Sequence, residues 1–377
     1  MKMELTAQQK DAQAEFKAFA DRRIFPYADQ FDQEERIPTD LIQSMGQHGY
    51  LSTMLPQEFG GLGLDMISYG LLNEEIGRAC SSTRSLITVQ GMVEYALLRW
   101  GRGGQKEKWL PHLAAGELIG AFALTEPETG SDARKIRTEA IKTEDGFVLN
   151  GRKKWITFAQ IADLFLIFAQ CGEGNPTAFL VEKDRPGVTV EPIRGLMGCR
   201  ASMLGEIHLE DCWIPKENML GGIGFGFGMV ALSALDMGRY SVAWGSVGIG
   251  QACVDAGLAY AAEREQFGRP LREHQLIQRM LTNMITEVKA ARLLCLQAGY
   301  LHDQAHPTAT AETLVAKYYA STMAARAAGD AVQIHGANGC SDQYPVARYL
   351  RDAKIMEIIE GSNEMQQMLI AKNAFNK

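Results

Sequence analysis

The stretch LTEPETGSD at residues 124–132 opens the part of the chain that decides the fold. After it, short apolar runs alternate with turn residues, and the hairpin-type pair Asp145-Gly146 directly precedes the apolar run 147–149. Further apolar runs of strand length follow at residues 164–169, 178–181, 188–190 and 206–209. Residues 121–228 are therefore predicted to form a middle antiparallel β domain.

The segments on either side of this domain have a helical texture. Thr6 is a suitable N-cap, and Phe16 and Phe19 share one face of the helix that would follow it. Residues 1–120 are predicted to be an N-terminal helical domain. Residues 229–377 contain long proline-free stretches with apolar residues at helical period, which predicts a C-terminal four-helix bundle. The fold class is thus multi-domain α+β.

Composition excludes several classes of function. The formal net charge of −7 argues against a nucleic-acid partner, since phosphate neutralisation needs a basic surface. The seven cysteines form no CxxC pair, and no apolar run approaches membrane-spanning length. His302 and His306 have the i, i+4 spacing of metal ligands, but Pro307 follows and no second ligand pair is near. We expect a cytoplasmic protein with reduced thiols, no metal centre and no membrane partner.

Three separated groups of segments combine into one specific pattern. They are LTEPETGSD at 124–132 with KWIT at 154–157, REQFGRPL at 264–271 with HQ at 274–275, and QIHGANG at 333–339 through YLRDAK at 349–354 to EGS at 360–362. Each group alone is a weak signal. In this order, on these textures, they make the chain resemble an acyl-CoA dehydrogenase over nearly its whole length. The resemblance implies FAD as cofactor, an acyl thioester on CoA or a carrier protein as substrate, and a separate electron-transfer acceptor.

The first group of segments matches the part of the family that surrounds the flavin ring. By this resemblance, the backbone at Leu124 and Thr125 lies along the pyrimidine edge, while Trp155 and Thr157 cover the ring and its N5 atom. Ser131 would meet the pyrophosphate or the pantetheine of the substrate. The alternative for Trp155 is a core-packing role.

The second group implies a site that two chains share. In the family, the positions of Arg264, Phe267, Gln333 and Gly336 reach the FAD of a neighbouring subunit, and arginine suits a diphosphate. We therefore expect a homodimer or homotetramer. The alternatives are a helix-capping Arg264 and a core-packing Phe267.

The third group contains the candidate base, Glu360. A glutamate at a helix end is usually solvated, but beside an apolar flavin face its pKa would rise toward working pH. Some branches of the family place the base at the position of Gly238, which here has no side chain. The resemblance therefore leaves Glu360 as the candidate base. It also assigns Ser362 and Glu364 to the cofactor and Gly361 to the substrate.

The segment SSTRS at residues 81–85 narrows the branch of the family. It resembles glutaryl-CoA dehydrogenases, in which an arginine at the position of Arg84 holds the far carboxylate of the substrate. Ser85, Thr88 and Arg239 are assigned to substrate binding by the same resemblance. The alternative for Arg84 is a surface arginine paired with a nearby carboxylate.

Two other runs, GCRA at 198–201 and MEIIEGS at 356–362, resemble a different branch. Its members make hydroxymalonyl-, methoxymalonyl- or aminomalonyl-carrier-protein extender units for polyketide pathways. The leading hypothesis is oxidation of a short polar thioester on a carrier protein, such as a 2-hydroxy-3-oxopropionyl group. The alternatives are a glutaryl-CoA or short-chain acyl-CoA dehydrogenase and, from another class, a non-catalytic helical scaffold.

Overall fold

The computed structural model describes residues 4–375, in which helices precede and follow a β domain, as the sequence predicts. The N-terminal part contains six α-helices: α1 Ala7–Arg23, α2 Ala28–Glu34, α3 Thr39–Gln47, α4 Met66–Ala79, α5 Ser81–Trp100 and α6 Gln105–Ala114. Thr6 caps α1 with a capping box, and Phe16 and Phe19 are buried, so the predicted first helix is confirmed.

The middle part is a single sheet of eight strands in the described chain. They are β1 Gly120–Ala123, β2 Glu139–Lys142, β3 Gly146–Ile156, β4 Leu164–Gln170, β5 Pro176–Glu182, β6 Val188–Pro192, β7 Gly205–Pro215 and β8 Met219–Leu220. The main order is β6-β7-β3-β2-β4-β5-β8. Most pairs are antiparallel, as predicted, and β4 also pairs in parallel with β1 and β2, which makes the sheet mixed.

The C-terminal part contains the long helices of the bundle. They are α7 Leu232–Glu263, α8 Gln275–Asp303, α9 Ala309–His335, α10 Val346–Met356 and α11 Asn363–Phe375, with the short hairpin β9 Glu265–Gln266 and β10 Arg269–Pro270 after α7. A π-helical turn, Gly226–Ala231, leads into α7. The interior of the bundle is rich in small residues, which allows close approach between α7 and α9. No helix in residues 4–375 is long and apolar enough to cross a membrane.

One local feature differs from the turn-like sequence that suggests it. The pair Asn150-Gly151 does not end a strand; β3 continues through it with a register shift against β7. Gly151 has a φ of 150°, and a Cβ there would lie 2.6 Å from Thr138 Oγ1. Glycine permits the close approach, and the bulge carries the strand on to Trp155 and the predicted flavin segment.

Helix α10 ties the three parts together just before the predicted base. Arg351 donates to Asp32 in α2 at 3.1 Å and to the carbonyl of Met197 at 2.9 Å. Asp352 is buried and accepts a hydrogen bond from the backbone N–H of Cys199 at 2.6 Å. Burial is the largest influence on the Asp352 carboxyl and raises its pKa to about 6. The segment that leads to Glu360 is therefore fixed against both other domains.

A second buried carboxyl, that of Glu94 in α5, has no basic partner among residues 4–375. It accepts hydrogen bonds from Ser52 Oγ and from Gln90 Nε2, and its side chain is almost fully buried. Burial raises its pKa to about 8, and the two hydrogen bonds oppose this only in part. The folded protein therefore keeps this carboxyl protonated at neutral pH.

This burial predicts a pH-dependent effect of Glu94→Gln. Between the unfolded pKa near 4.5 and the folded pKa near 8, folding takes up a proton, so stability falls as pH rises. Glutamine needs no proton, so the variant should gain on the wild type by about 1.4 kcal/mol per pH unit in this window. Thermal unfolding at pH 5, 6.5 and 8 measures the gap, with the exposed Glu144→Gln as control. A gap that stays constant with pH would contradict the prediction.

Candidate active site

Glu360 lies in the turn between α10 and α11. Its backbone is left-handed, with φ at 55°, and Gly361 follows at 88°. Its Oε2 atom is buried and has no hydrogen-bond partner among the described residues. A Cβ built on Gly238 in α7 would lie 2.6 Å from this oxygen. The two positions that the family uses for the base therefore meet in space, and the missing side chain at Gly238 leaves the room that the Glu360 carboxylate occupies.

The electrostatic surroundings of Glu360 contain opposing effects. Burial is the largest and raises the pKa of the carboxyl, because a charged group loses water. The positive charges of Arg239, Arg84 and Lys317 lower it again in part, and the net shift is upward. A carboxyl that has one buried, unbonded oxygen and a raised pKa has the properties of a general base.

Arg84 is the most deeply buried arginine near this carboxylate. Its side chain has no exposed surface, and its Nη1 donates to Thr88 Oγ1 at 2.7 Å and to Ser241 Oγ at 3.3 Å. Nη2 contacts Met356 Sδ at 3.6 Å, and Nε has no partner in the described chain. Burial lowers the pKa of the guanidinium. No carboxylate among residues 4–375 forms an ion pair with it, so the surface-arginine alternative is wrong.

The other predicted substrate residues take different positions. Thr88 shares a hydrogen bond of 2.6 Å with Ser241 and belongs to the Arg84 network. Arg239 donates from Nε to the carbonyl of Glu360 at 3.1 Å. Ser85 instead donates to its own helix and lies 2.8 Å from Ser202 Oγ, so it joins α5 to the β domain.

The predicted flavin residues of the middle domain also come together. The backbone N–H of Lys154 donates to the carbonyl of Thr125 at 2.9 Å, which places residues 154–157 beside the loop after β1. Trp155 has a left-handed φ of 62°, and half of its side chain is exposed, so the core-packing alternative is wrong. Thr157 is partly exposed in the following turn, and Ser131 is exposed in the loop after β1.

A buried ion pair beneath this loop was not predicted from the sequence. Lys153 Nζ donates to Glu126 Oε1 at 2.7 Å and to the carbonyl of Leu124 at 3.2 Å. Both charged side chains are almost fully buried, and Glu126 also accepts from the backbone N–H of Thr138 at 2.9 Å. Burial lowers the pKa of Lys153 to about 8 despite its partner. The available signal was a lysine at an inward-facing position of β3, opposite the glutamate of the conspicuous TEP triplet.

The residues predicted to act across a subunit boundary lie apart from both groups. Arg264, Gln333 and Gly336 are exposed, and Phe267 is 95% exposed at the tip of the β9–β10 hairpin. The core-packing alternative for Phe267 is therefore wrong. Arg264 is the C-cap residue of α7 through its backbone N–H, which bonds to Tyr260, while its side chain is exposed. In the described chain no hydrogen bond joins these four residues to the groups around Glu360 and Trp155.

The remaining predicted cofactor residues follow the base. Ser362 precedes α11, and Glu364 lies in its first turn. Glu364 is exposed, and its pKa is lowered, mainly by a hydrogen bond with Ser362.

Family models match nearly the whole chain. The N-terminal, middle and C-terminal domain models of acyl-CoA dehydrogenase match residues 6–117, 121–212 and 224–375. The chain belongs to the acyl-CoA dehydrogenase family. It is 42% identical to a probable acyl-CoA dehydrogenase, YngJ, of Bacillus subtilis, over 99% of both chains. It is 40% identical to the mitochondrial short-chain specific acyl-CoA dehydrogenase of Mus musculus, over 94% of this chain and 86% of that one.

Solved structures of related proteins have the same fold as this chain. A glutaryl-coenzyme A dehydrogenase in complex with glutaryl-CoA superposes with a TM-score of 0.96 at 34% identity, over 100% and 97% of the two chains. FkbI, described for biosynthesis of a methoxymalonyl extender unit of a polyketide, gives 0.89 at 35%, over 97% and 99%. The prolyl acyl carrier protein oxidase AnaB gives 0.92 at 29%, over 98% and 100%.

The family is FAD-dependent, so this dehydrogenase is an FAD-dependent oxidoreductase. Its middle domain fits that cofactor, because Trp155 presents a half-exposed indole from a left-handed backbone position that large side chains rarely adopt. Such a side chain leaves an apolar face on which a planar ring can stack. Leu124, Thr125 and Thr157 would lie along the same ring.

The contact between Gly238 and Glu360 predicts the effect of Gly238→Ala. The new Cβ would lie 2.6 Å from Glu360 Oε2 and 2.9 Å from Met92 Sδ, so the carboxylate must move. Misplacement of a reacting group by about 1 Å can cost roughly 10²-fold in rate. Stopped-flow flavin reduction by butyryl-CoA and glutaryl-CoA measures the loss, with FAD content checked by absorbance. Gly329→Ala in α9, where a Cβ meets nothing within 4 Å, is the control. Equal rates in the two variants would show that Glu360 does not need this space.

Proposed function

We propose that this dehydrogenase oxidises a short, polar acyl thioester carried on an acyl carrier protein, as in formation of a hydroxymalonyl- or aminomalonyl-type extender unit. Glu360 is the base in this proposal. The observation that carries it is Arg84, a fully buried guanidinium that is linked by hydrogen bonds to Thr88 and Ser241 and has no carboxylate partner in the part of the chain that the structure describes. Burial of an unpaired charge is costly, so the site favours a ligand that supplies the missing anionic or strongly polar group.

The space beyond Arg84 supports a short substrate. Gly91 and Tyr95 follow Arg84 at i+7 and i+11 on α5 and share its helix face. They line a cavity of about 110 Å³, together with the buried carboxyl of Glu94 and the hydroxyl-bearing ring of Tyr69. The Tyr69 hydroxyl has no hydrogen-bond partner in the described chain. The rest of the wall is largely apolar, but an apolar chain that filled this small cavity would leave the Tyr69 hydroxyl buried without a partner, which disfavours long fatty acyl substrates.

The chemistry requires one proton acceptor and one hydride acceptor. Bound FAD supplies the hydride acceptor in this family. For a hydrated aldehyde at the far end of a three-carbon unit, Glu360 takes the hydroxyl proton while the carbon–hydrogen bond breaks with its electron pair, and a carboxylic acid results. For a saturated acyl chain, Glu360 takes the proton α to the thioester carbonyl, the β carbon–hydrogen bond breaks as a hydride leaves for the hydride acceptor, and the electrons of the α carbon–hydrogen bond form the C=C bond. The same base serves both reactions. The preference between the two substrates therefore depends on whether the far end of the acyl group can bind Arg84.

The similarity to FkbI and AnaB supports a carrier-bound thioester, since one is described for a polyketide extender unit and the other as a carrier-protein oxidase. A second candidate is a glutaryl-CoA dehydrogenase. Arg84 favours it too, because the far carboxylate of a glutaryl group could fill the same anionic position, and the glutaryl-CoA complex superposes closely. The apolar acyl chain of a short-chain acyl-CoA substrate would offer no polar group to Arg84. In each case we propose that the electrons pass on to a separate electron-transfer acceptor.

We also propose that two copies of the chain complete each cofactor site. Phe267 is 95% exposed, and Arg264, Gln333 and Gly336 are exposed with it. An aromatic ring that lies almost wholly in solvent would gain by burial against a second copy, because its apolar surface would leave water. A second copy that brings these residues to the Trp155 region of the first would bury the ring and supply a fixed positive charge to the diphosphate. The arrangement implies a homodimer or homotetramer.

The role of the base is tested by Glu360→Gln. Glutamine has nearly the same size but cannot accept the proton, so the rate of flavin reduction should fall by about 10²–10⁴-fold while FAD remains bound. Glu357→Gln changes a partly exposed glutamate of the same turn, which pairs with Lys354, and should keep its rate. A near-normal rate of flavin reduction in Glu360→Gln would remove this residue from the mechanism.

The polarity of the pocket is tested by Arg84→Lys with a panel of thioesters. The panel contains butyryl-CoA, glutaryl-CoA and a 2-hydroxy-3-oxopropionyl group on an acyl carrier protein. The wild type should reduce its flavin fastest with the carrier-bound substrate and slowly with butyryl-CoA, and the lysine variant should lose the fast reaction, since only arginine offers a planar fork. Arg99→Lys, at the exposed end of α5, is the control. Fast reduction by butyryl-CoA that is insensitive to Arg84→Lys would show an apolar pocket, and preference for glutaryl-CoA would favour the second candidate.

A further inference from the structure

A lysine with no exposed surface lies directly behind the turn that carries Glu360. Lys317 is in the interior of α9, and its side chain is fully buried. Lysine is among the residues least often buried without an acidic partner. Among residues 4–375, no carboxylate oxygen lies within hydrogen-bond distance of Lys317 Nζ. Such a residue calls for a reason beyond packing, because an alanine or methionine would fill the same interior at lower cost.

The contacts of Lys317 all go to the segment around the base. Its ammonium donates to the carbonyl of Gly361 at 2.9 Å, to Asn363 Oδ1 at 3.1 Å and to the carbonyl of Glu357 at 3.4 Å. An ammonium group has three hydrogens, so each donor has one acceptor. The acceptors lie before and after Glu360 in the sequence. Lys317 therefore binds the turn on both sides of Glu360, the proposed base.

The turn needs such support because of its backbone. Glu360 and Gly361 are consecutive left-handed residues, and this conformation is unfavourable for a glutamate. Gln366 adds donors to the carbonyls of Glu360 at 3.2 Å and Gly361 at 2.9 Å, and Arg239 donates to the carbonyl of Glu360. Lys317 is the member of this set that also reaches the carbonyl of Glu357, at the beginning of the turn. It thereby fixes the direction in which the chain approaches the base.

We propose that Lys317 is a positioning residue for catalysis, which holds the Glu360 carboxylate against Gly238 by binding the turn on both sides of it. The inference rests on the proposed role of Glu360 as base. In this proposal Lys317 does not contact the substrate, because all three hydrogens of its ammonium group are donated to the turn and to Asn363. Its charge acts in the same direction, since it favours the ionised form of Glu360 that accepts a proton.

The protonation of Lys317 links this support to pH. Burial lowers its pKa to about 8, while nearby carboxylates oppose the shift in part. The charged groups that face it are Glu360 and Glu357 in the turn, Glu364 in α11 and Arg239 in α7. Lys317 has a pKa that lies within the range of pH that the experiment covers. Above pH 8 the amine loses one hydrogen and with it one of the three contacts.

The experiment compares Lys317→Met and Lys317→Gln with the wild type as FAD-loaded full-length protein. Flavin reduction is followed in single turnovers with butyryl-CoA, glutaryl-CoA and the carrier-bound three-carbon thioester, from pH 6 to 10. We expect the limiting rate to fall by about 10–100-fold with each substrate that the wild type oxidises, while the thioester concentration at half-maximal rate changes less than threefold. The fall of the wild-type rate above pH 8 should be absent in Lys317→Met. Lys317→Gln keeps a donor and should lose less.

Lys354→Met is the matched control. Lys354 lies on α10 next to the same turn, but it is exposed and pairs with the side chain of Glu357 rather than with the backbone. Its replacement should leave both the limiting rate and the pH profile unchanged. Chemical reduction of the flavin by dithionite, which needs no base, should be the same in all variants. These two controls separate loss of positioning from loss of FAD or of general stability.

The Glu360→Gln background distinguishes the two levels of the argument. If Lys317 acts through Glu360, adding Lys317→Met to Glu360→Gln should cost almost nothing further, and the double-mutant cycle will be strongly non-additive. If Glu360→Gln is itself fully active, the proposed base is wrong. If Glu360→Gln is inactive while both Lys317 variants reduce flavin within twofold of wild type, or if their losses add independently to that of Glu360→Gln, Lys317 is not a positioning residue. If Lys317→Met does not fold, Lys317→Gln decides by the same criteria.

Discussion

The site depends on a carboxylate with one oxygen that is shielded from water and has no hydrogen-bond partner in the described chain. A glutamate normally satisfies its oxygens with water or donors, yet Glu360 Oε2 is buried without a partner. Burial alone would favour the protonated form, which cannot act as a base. Arg84, Arg239 and Lys317 oppose that effect with charges from three different helices, α5, α7 and α9. None of the three forms a hydrogen bond to the carboxylate in the described chain, so their charges favour ionisation while the oxygens stay available for a proton.

This arrangement explains why so much of the fold converges on one turn. The left-handed pair Glu360-Gly361 needs donors for its carbonyls, and these come both from Gln366 nearby in the sequence and from the distant residues Arg239 and Lys317. Helix α10 must also arrive at a fixed angle, which Arg351 and Asp352 ensure by binding α2 and the β domain. The helical bundle thus serves as a rigid frame for the base.

The architecture could be predicted from the sequence, but the buried residues that hold the site in position could not. The strands at 164–169 and 178–181 were predictable because both faces of those strands are buried and their apolar runs are continuous. Lys317 and the Lys153–Glu126 pair were not predictable, because a lysine at a helical or strand position is normally solvated, and only tertiary contacts show otherwise. Ser85 shows the opposite case: the motif predicts a role in substrate binding, whereas its hydroxyl lies against Ser202. Resemblance transfers the family's motif, whereas the direction of each side chain depends on packing around it.

Within a single chain, the charged groups around Glu360 are buried, whereas the aromatic residues predicted to contact the cofactor are exposed. Arg84, Lys317 and the Oε2 atom of Glu360 are buried within one copy, whereas Trp155 is half exposed and Phe267 almost fully exposed. Under the proposed two-copy arrangement, FAD would lie between these exposed aromatic residues. A ligand that binds only the assembled form stabilises that form by mass action, so FAD binding and association would strengthen each other. The base would then be preformed in each chain, while access to a competent flavin would depend on assembly. In that arrangement the charged part of the site would form within one chain, and the apolar part would be completed only by the second copy.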